Sequence, residues 1–437
     1  LIALELLVVL SAILLGARIS GIGLGVMGGL GLAILVFGFG LQPTSAPIDV
    51  MLMIIAVITT AGCLQAAGGM DFLVRIAEKI LRRNPKRITF FAPLVTYCFT
   101  LFAGTGHVAY AVLPVIAEVA HESGVRPERP LSIAVIASQA AITASPISAA
   151  TVALLALLSP AGIHLGDILQ IAIPATLIGT MAGALMASRQ GCELHLDPVY
   201  RERLERGDFA HEKDREQSAL PTGARRSVWL FFIAVVSVVL LGSFPELRPS
   251  WVVDGETIKL NMSQAIEMVM LSAAALILIC SKVNPEEVIK GSVFRAGSAA
   301  VIGIFGVAWM GDTFIQGNLA FFSGSIKDIV TAQPWLFAVA LFGMSILLYS
   351  QAATIRAMLP LGIALGLPTP ALIAMFPSVN GYFFIPNYPT VIAAINFDRT
   401  GTTKIGKYLL NHSFMLPGLV CSITSVGSGF ILIKFLF

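Results

Sequence analysis

Residues 103–107 read Ala103-Gly104-Thr105-Gly106-His107, and 246 residues later, at 349–353, stands Tyr349-Ser350-Gln351-Ala352-Ala353. Each stretch is flanked by apolar segments shorter than the roughly 20 residues a helix needs to cross a bilayer. Glycine and small polar residues are poor helix interiors and favour a turn. The chain is therefore expected to enter the apolar phase, turn inside it and leave on the side it came from. That makes two re-entrant hairpins, 88–120 and 334–366. The same shift places Leu113-Pro114 on Leu359-Pro360 and brings Asn84-Pro85 close to Gln333-Pro334.

A second kind of interruption follows each hairpin. The apolar run 131–158 is broken at Ser145-Pro146-Ile147-Ser148, and 371–397 at Asn387-Tyr388-Pro389-Thr390. Proline removes a backbone donor and pushes the residue before it out of helical geometry. Non-helical backbone at membrane depth survives only where protein or a polar cavity satisfies it, and paired interrupted helices mark the binding site of many secondary transporters.

The rest of the chain agrees with a lipid solvent. It is 56% hydrophobic and 12% charged, with a mean hydropathy of +0.86, against roughly 25% charged residues in a soluble domain. Further apolar runs recur at 2–17, 21–41, 49–67, 167–188, 228–244, 262–281, 296–316 and 408–435. They lack the alternation of barrel strands, so the fold class is an all-α polytopic membrane protein. A net charge of +3 dispersed over short loops excludes a nucleic-acid partner. Five cysteines without CxxC spacing give neither a disulfide framework nor a zinc site, and no metal or cofactor is expected.

Basic residues orient the spans, because Lys and Arg collect in cytoplasmic loops. Arg18 lies between the first two spans, whereas 42–48 has no basic residue, which puts the amino terminus outside. Segment 71–87 carries six Lys or Arg beside Phe72, Leu73, Ile76, Ala77 and Ile80 at helical spacing, as an interfacial cytoplasmic helix would. Its counterpart 319–333 has only Lys327 and falls outside. The halves thus read as inverted-topology repeats, each with a re-entrant hairpin and a discontinuous helix. The first, 1–188, comprises scaffold spans 1–70, interfacial helix 71–87, hairpin 88–120, broken helix 131–158 and span 167–188. A charged cytoplasmic linker, 189–227, follows. The second repeat, 228–437, holds interfacial segment 319–333, hairpin 334–366, broken helix 371–397 and a last span 408–435 that leaves the carboxyl terminus periplasmic.

Four breaks should converge near the midplane, and helix amino termini exposed there suit an anion such as a carboxylate. The candidate substrate ligands are Thr105, Gly106 and His107; Ser145, Pro146 and Ser148; Ser350, Gln351 and Thr354; and Asn387, Pro389 and Thr390. Asn380 and Tyr382, two turns ahead of the last break, join them. Arg356 is the only basic residue of the second hairpin. An intramembrane guanidinium is costly, so a functional role is the default, and it can grip a carboxylate with two parallel hydrogen bonds. His107, Asp312 and His412 are candidates for proton coupling; sodium held by loop carbonyls is the alternative. A membrane-embedded enzyme would need a motif such as HExxH, paired aspartates or Gly-x-Ser-x-Gly, which the spans lack.

With Leu64-Gln65-Ala66-Ala67-Gly68-Gly69, Gly104-Thr105-Gly106-His107, Arg126-Pro127-Glu128-Arg129-Pro130, Ala144-Ser145-Pro146, Ser350-Gln351-Ala352-Ala353, Gly381-Tyr382-Phe383-Phe384-Ile385-Pro386, Phe397-Asp398-Arg399-Thr400-Gly401-Thr402-Thr403 and Asn411-His412-Ser413-Phe414, the chain resembles the anaerobic C4-dicarboxylate transporters, the Dcu family, over nearly its whole length. The resemblance implies exchange, uptake or efflux of fumarate, malate, succinate or aspartate across a bacterial inner membrane. It also implies kinship with elevator-type dicarboxylate transporters, which are dimers with a fixed scaffold and a mobile transport domain.

Overall fold

The computed structural model describes residues 1–19, 22–46, 48–206, 220–253, 256–318, 321, 333–348, 350–386, 388–406 and 410–436. Three helices open the first half: α1 (Ile2–Ile19), α2 (Gly23–Ala33, ending in the π turn Ile34–Gly38) and α3 (Ile48–Ala66). After α3 the chain bends by 70° at Gly68 into α4 (Gly69–Arg83). This helix is amphipathic as its sequence requires: Ala77 and Leu81 are buried, while Arg82 binds Glu78 on its own helix and reaches Glu118 and Glu122. Next come α5 (Ile88–Ala103), α6 (Ala109–Glu122), α7 (Glu128–Ala140), α8 (Ala149–Leu158) and α9 (Leu165–Ala187).

The second half follows the linker. Its helices are α11 (Ala224–Ser243), α12 (Met262–Ser281), a short α13 (Pro285–Lys290), α14 (Ser292–Gly317), α15 (Trp335–Leu348), α16 (Gln351–Ala364), α17 (Thr369–Met375), α18 (Pro389–Phe397) and α19 (Met415–Leu436). The expected interfacial segment 319–333 lies outside the described residues apart from 321 and 333. Among the described residues, six helical stretches are long and apolar enough to cross a membrane, with the broken α7–α8 pair counted as one. Between α11 and α12 the chain carries a small antiparallel hairpin, β1 (Ser250–Val253) with β2 (Glu256–Lys259), in the register Ser250 to Lys259. Val252, Val253, Thr257 and Ile258 are β-branched, and two short runs of them favour pairing over an irregular loop.

Among the described residues, two large apolar cores hold the bundle, beside a small third cluster of Tyr97, Ala137, Ala141 and Ala144. One joins α1, α2 and α3 with α8, α11, α12, α14 and the second hairpin; the other joins α4 to α7 with α18 and the start of α19. Within the first, α2 and α14 touch backbone to backbone. A Cβ on Gly25 would overlap the carbonyl of Ile302, and one on Gly306 the carbonyl of Gly25. Close approach of small residues is how helices bind each other in a solvent without a hydrophobic driving force.

The start of the charged linker is docked. Arg126, buried between α6 and α7, donates to Glu128 Oε2 and to Asp197 Oδ2, each at 2.6 Å. Asp197 also caps the linker helix α10 (Pro198–Glu205) by accepting from the N–H groups of Val199 and Tyr200. Burial alone would raise the Asp197 carboxyl pKa, but the bonds from Arg126 and from the helix backbone outweigh it and hold the group below the usual carboxylate range. Glu128 Oε1 accepts from Ser413 Oγ at 2.6 Å, and the Glu128 N–H donates to Thr402 Oγ1. One buried charge cluster therefore ties together the first half, the linker and the second half.

Candidate functional site

The first hairpin turns where glycine permits it. Gly104 ends α5 with φ of 71°, the left-handed conformation, and a Cβ there would also crowd the Ile147 carbonyl oxygen at 3.2 Å. A single 3-10 turn, Gly106–Val108, then starts α6. Thr105 faces a cavity of about 100 Å³ shared with Ile58 and Ala61 of α3 and Gly297 of α14. The side chain of His107 lies outside the described residues.

Gly106 packs on α7, where the sequence shows no break. A Cβ on it would lie 2.8 Å from Gln139 Cδ and closer still to Nε2. Its carbonyl accepts from Ser138 Oγ at 3.2 Å, and Ser138 is in turn bonded to Thr100 Oγ1 at 2.8 Å. The two polar residues at the end of α7 thus hold the tip of the hairpin. After α7 the chain makes a 3-10 turn, Ala141–Ala144, and Ser145, ahead of Pro146, is extended (φ −80°, ψ 127°). Ser148 caps α8: its Oγ accepts from the Thr151 N–H at 3.1 Å and donates to the Ile142 carbonyl at 2.6 Å.

In the second hairpin, Ser350 caps α16 by accepting from the Ala353 N–H, and Thr354 donates to the Ser350 carbonyl at 2.8 Å. Ser148, Ser350 and Thr354 are therefore engaged by the helix starts they flank. Gln351 is not. Its Nε2 donates to Gln139 Oε1 and to Asn380 Oδ1, both at 3.1 Å, using the two hydrogens of one amide. Asn380 Nδ2 donates to the Pro377 carbonyl. Three amides from the first broken helix, the second hairpin and the second broken helix thus meet, with the first hairpin against Gln139.

The last break is longer than its proline predicts. Helical geometry is lost at Phe376, two 3-10 turns follow (Phe376–Val379 and Gly381–Phe383), and Pro389 opens α18. Asn380 and Tyr382 accordingly lie inside the break rather than two turns before it, because Pro377 and Gly381 both disfavour continuing α17. The Gly381 N–H is satisfied by Ser345 Oγ at 2.8 Å. Tyr382 is buried, donates to the Val135 carbonyl on α7 and packs on Tyr388 with ring centroids 4.9 Å apart. Asn387 lies outside the described residues.

Two hydroxyls at the breaks stand out. Ser145 Oγ and Thr390 Oγ1 are fully buried and have no hydrogen-bond partner among the described residues. Orphaned buried polar groups are rare enough to require an explanation, and each prolyl break holds one, Ser145 just before Pro146 and Thr390 just after Pro389. The amino termini of α8, α16 and α18 start at these same interruptions.

Of the remaining candidates, Arg356 on α16 lies within electrostatic reach of Asp312 on α14, where Gly311 lets the two helices approach until a Cβ on it would lie 3.4 Å from that of Ala357. Asp312 Oδ1 has no hydrogen-bond partner among the described residues. His412 is not inside the last span, which begins at Met415; it lies in the preceding loop, bridged to Ile405. Its Nδ1 accepts from the Phe414 N–H, which leaves Nε2 as donor to the Phe384 carbonyl at 3.4 Å. Burial pushes its pKa down, against the opposing carbonyl, and the neutral ring serves as a link between two backbone groups.

A family model described as "Anaerobic c4-dicarboxylate membrane transporter" matches residues 1–437. The chain is 45% identical over 427 residues to a C4-dicarboxylate transporter DcuA of Wolinella succinogenes, covering 98% of each chain. It is 44% identical to DcuA of Escherichia coli K12, covering 99% of each, and 42% identical to the anaerobic C4-dicarboxylate transporter DcuB of Escherichia coli O6:H1, covering 95% of each. Among solved structures it resembles Neisseria gonorrhoeae MtrF, with a TM-score of 0.57 and 11% identity over 92% of this chain and 84% of that one. It also resembles the Alcanivorax borkumensis YdaH transporter, with a TM-score of 0.56 and 15% identity over 99% and 97%. Those two similarities concern the fold.

Proposed function

The chain belongs to the family of anaerobic C4-dicarboxylate membrane transporters, and on that premise we propose that it is a secondary carrier of fumarate, malate, succinate or aspartate. It works by exchange or cation-coupled uptake in the bacterial inner membrane, with both termini periplasmic. The observation that carries this reading is the meeting of the broken elements at one buried polar cluster, Gln139, Gln351 and Asn380, with the orphaned hydroxyls of Ser145 and Thr390 at the prolyl breaks.

A C4-dicarboxylate carries a carboxylate at each end, and the two halves offer one hydroxyl and one helix start each at their broken helices. Neutral donors suit a ligand that must be released on the far side: each hydrogen bond contributes about 1 kcal/mol net, whereas a buried ion pair resists opening. Arg356 supplies the single charge that favours a dianion, with Asp312 neutralising it in the empty carrier. The two hairpins and the two broken helices move as an elevator against the other spans, in a homodimer, with the repeats in inverted orientation. His107 and Asp312 are the side chains available for proton coupling, with sodium on loop carbonyls as the other coupling ion.

Counterflow of labelled succinate in proteoliposomes tests this. The expected result is saturable, trans-stimulated exchange that fumarate, malate and aspartate compete for, and that Arg356→Ala abolishes. Linear flux without trans-stimulation would make the protein a channel. Competition only by other organic anions would move the substrate class, and normal exchange by Arg356→Ala would remove that residue from the site.

A further inference from the structure

The end of α18, the loop that follows it and the linker helix α10 border a second, open cavity of about 790 Å³, on the side of the docked linker. Arg203 of α10 lines it together with Asn396, Asp398, Arg399, Thr403 and Lys404. Its one carboxylate is turned into its own loop. Asp398 Oδ1 accepts from the Thr400 N–H at 2.9 Å and from the Thr400 hydroxyl, and Oδ2 accepts from Thr402 Oγ1 at 2.8 Å and the Thr403 N–H at 2.6 Å. Four donors thus cover the negative charge, and the lining also carries three cationic side chains, Arg203, Arg399 and Lys404.

Two features go beyond a basic surface patch. Arg203 is held in place: its Nη1 donates to the Arg399 carbonyl at 2.5 Å, and its guanidinium lies on Gly401, where a Cβ would stand 2.7 Å from Cζ. That contact occupies one of five guanidinium donors. In addition, Thr403, one of the residues lining the space, is 1% exposed, and its buried Oγ1 has no hydrogen-bond partner among the described residues. Cations after a helix carboxyl terminus are often explained by the helix dipole alone, but a dipole does not account for a buried hydroxyl with no acceptor.

We propose that this cavity is a binding site for a small doubly charged oxyanion, separate from the amide cluster, in which Arg203, Arg399 and Lys404 supply the charge and Thr403 a donor. Dicarboxylates and phosphate share this chemistry. Because the site joins the linker to the loop leaving the second broken helix, an anion there clamps the linker to that helix, and the ligand's concentration on that face is sensed outside the transport site.

Isothermal titration of the full-length protein in detergent with succinate and, separately, with inorganic phosphate tests this. The proposal expects a binding event that persists in Gln351→Ala and weakens at least tenfold in Arg203→Gln/Lys404→Gln. Thr403→Val, which keeps every charge and the shape of the side chain, should weaken it severalfold at an unchanged melting temperature. Binding of both anions assigns the site to dicarboxylates as well as phosphate, and binding of phosphate alone assigns it to phosphate; either supports an oxyanion site. The proposal is overturned if neither anion binds once Gln351 is replaced, or if the event survives unchanged in both Arg203→Gln/Lys404→Gln and Thr403→Val.

Discussion

Gly106→Ala is the most incisive single perturbation of the amide cluster. Gly106 does not occupy the left-handed region, so alanine is admissible to the backbone. The added methyl instead falls 2.8 Å from Gln139 Cδ, inside contact distance. Gln139 is a flexible side chain and yields, but in yielding it leaves Gln351 Nε2, which it holds at 3.1 Å. One neutral buried hydrogen bond contributes about 1 kcal/mol, and an off-rotamer side chain costs about 1 kcal/mol more. If the cluster binds substrate, the sum of about 2 kcal/mol appears as a roughly 30-fold loss of dicarboxylate affinity. Gln139→Ala loses the bond but not the rotamer, about fivefold by the same conversion. The informative variant is the double one. With the Gln139 side chain gone the new methyl has nothing to strike, so Gly106→Ala/Gln139→Ala should match Gln139→Ala alone. The assay is the KM of succinate counterflow, with melting temperatures as a control for folding. Wild-type KM in Gly106→Ala, or additive losses in the double variant, would refute the proposed role of the cluster.

Thr390→Val should leave the ligand-free protein as stable as wild type or slightly more so, because it removes a buried hydroxyl that has no partner, while lowering succinate affinity about fivefold; melting curves with and without succinate separate the two effects. Arg126→Leu should destabilise the protein by about 3–5 kcal/mol, because it strands the carboxylates of Glu128 and Asp197 in a buried place; unfolding rates in detergent measure this. Asp197 also sets a pH dependence. Its folded pKa is depressed, so its contribution is complete at neutral pH and is lost as pH falls from the ordinary carboxylate range through the lower folded value. Unfolding rates measured from pH 7 to pH 3 should show this loss in wild type and a shallower one in Asp197→Asn.

Turns are legible in the sequence because they depend on residue types with local consequences. Gly104 ends α5 in the left-handed conformation and Ser145 is extended ahead of Pro146, whereas Ser148 and Ser350, read from the sequence as substrate ligands, cap the helices they open. The amphipathic pattern of 71–87 is that of a helix bent away from α3. At the second break Pro386 and Pro389 mark only its end; the departure from helix begins at Phe376, beside Pro377. His412 was assigned to a span because the apolar run looked continuous from 408, whereas bonds to Phe384 and Phe414 hold it in a loop. These errors share a cause: hydropathy registers how apolar a residue's neighbours in sequence are, but a break is extended by tertiary bonds such as that from the Gly381 N–H to Ser345.

Gln139 shows the same limit from the opposite direction. It lies in regular helix with no glycine or proline beside it, so a search for interruptions passes over it. What marks it is cost: a primary amide in an apolar helix must find partners, and Ser138-Gln139 is the most polar pair in that helix after its charged first turn. Its partners could not be read locally, since Gln351 lies 212 residues away in the other half. That distance has a functional consequence. Neither half alone can complete the cluster, so whatever binds there binds to a surface that exists only while the two halves are docked. The buried Asp197–Arg126–Glu128 contacts, extended to Ser413 and Thr402, perform that docking at the start of α7, the opposite end of that helix from Gln139. A carrier that moves its binding elements as one body requires such a tie, because a break that opened on its own would separate Gln351 from Gln139 before the substrate had crossed.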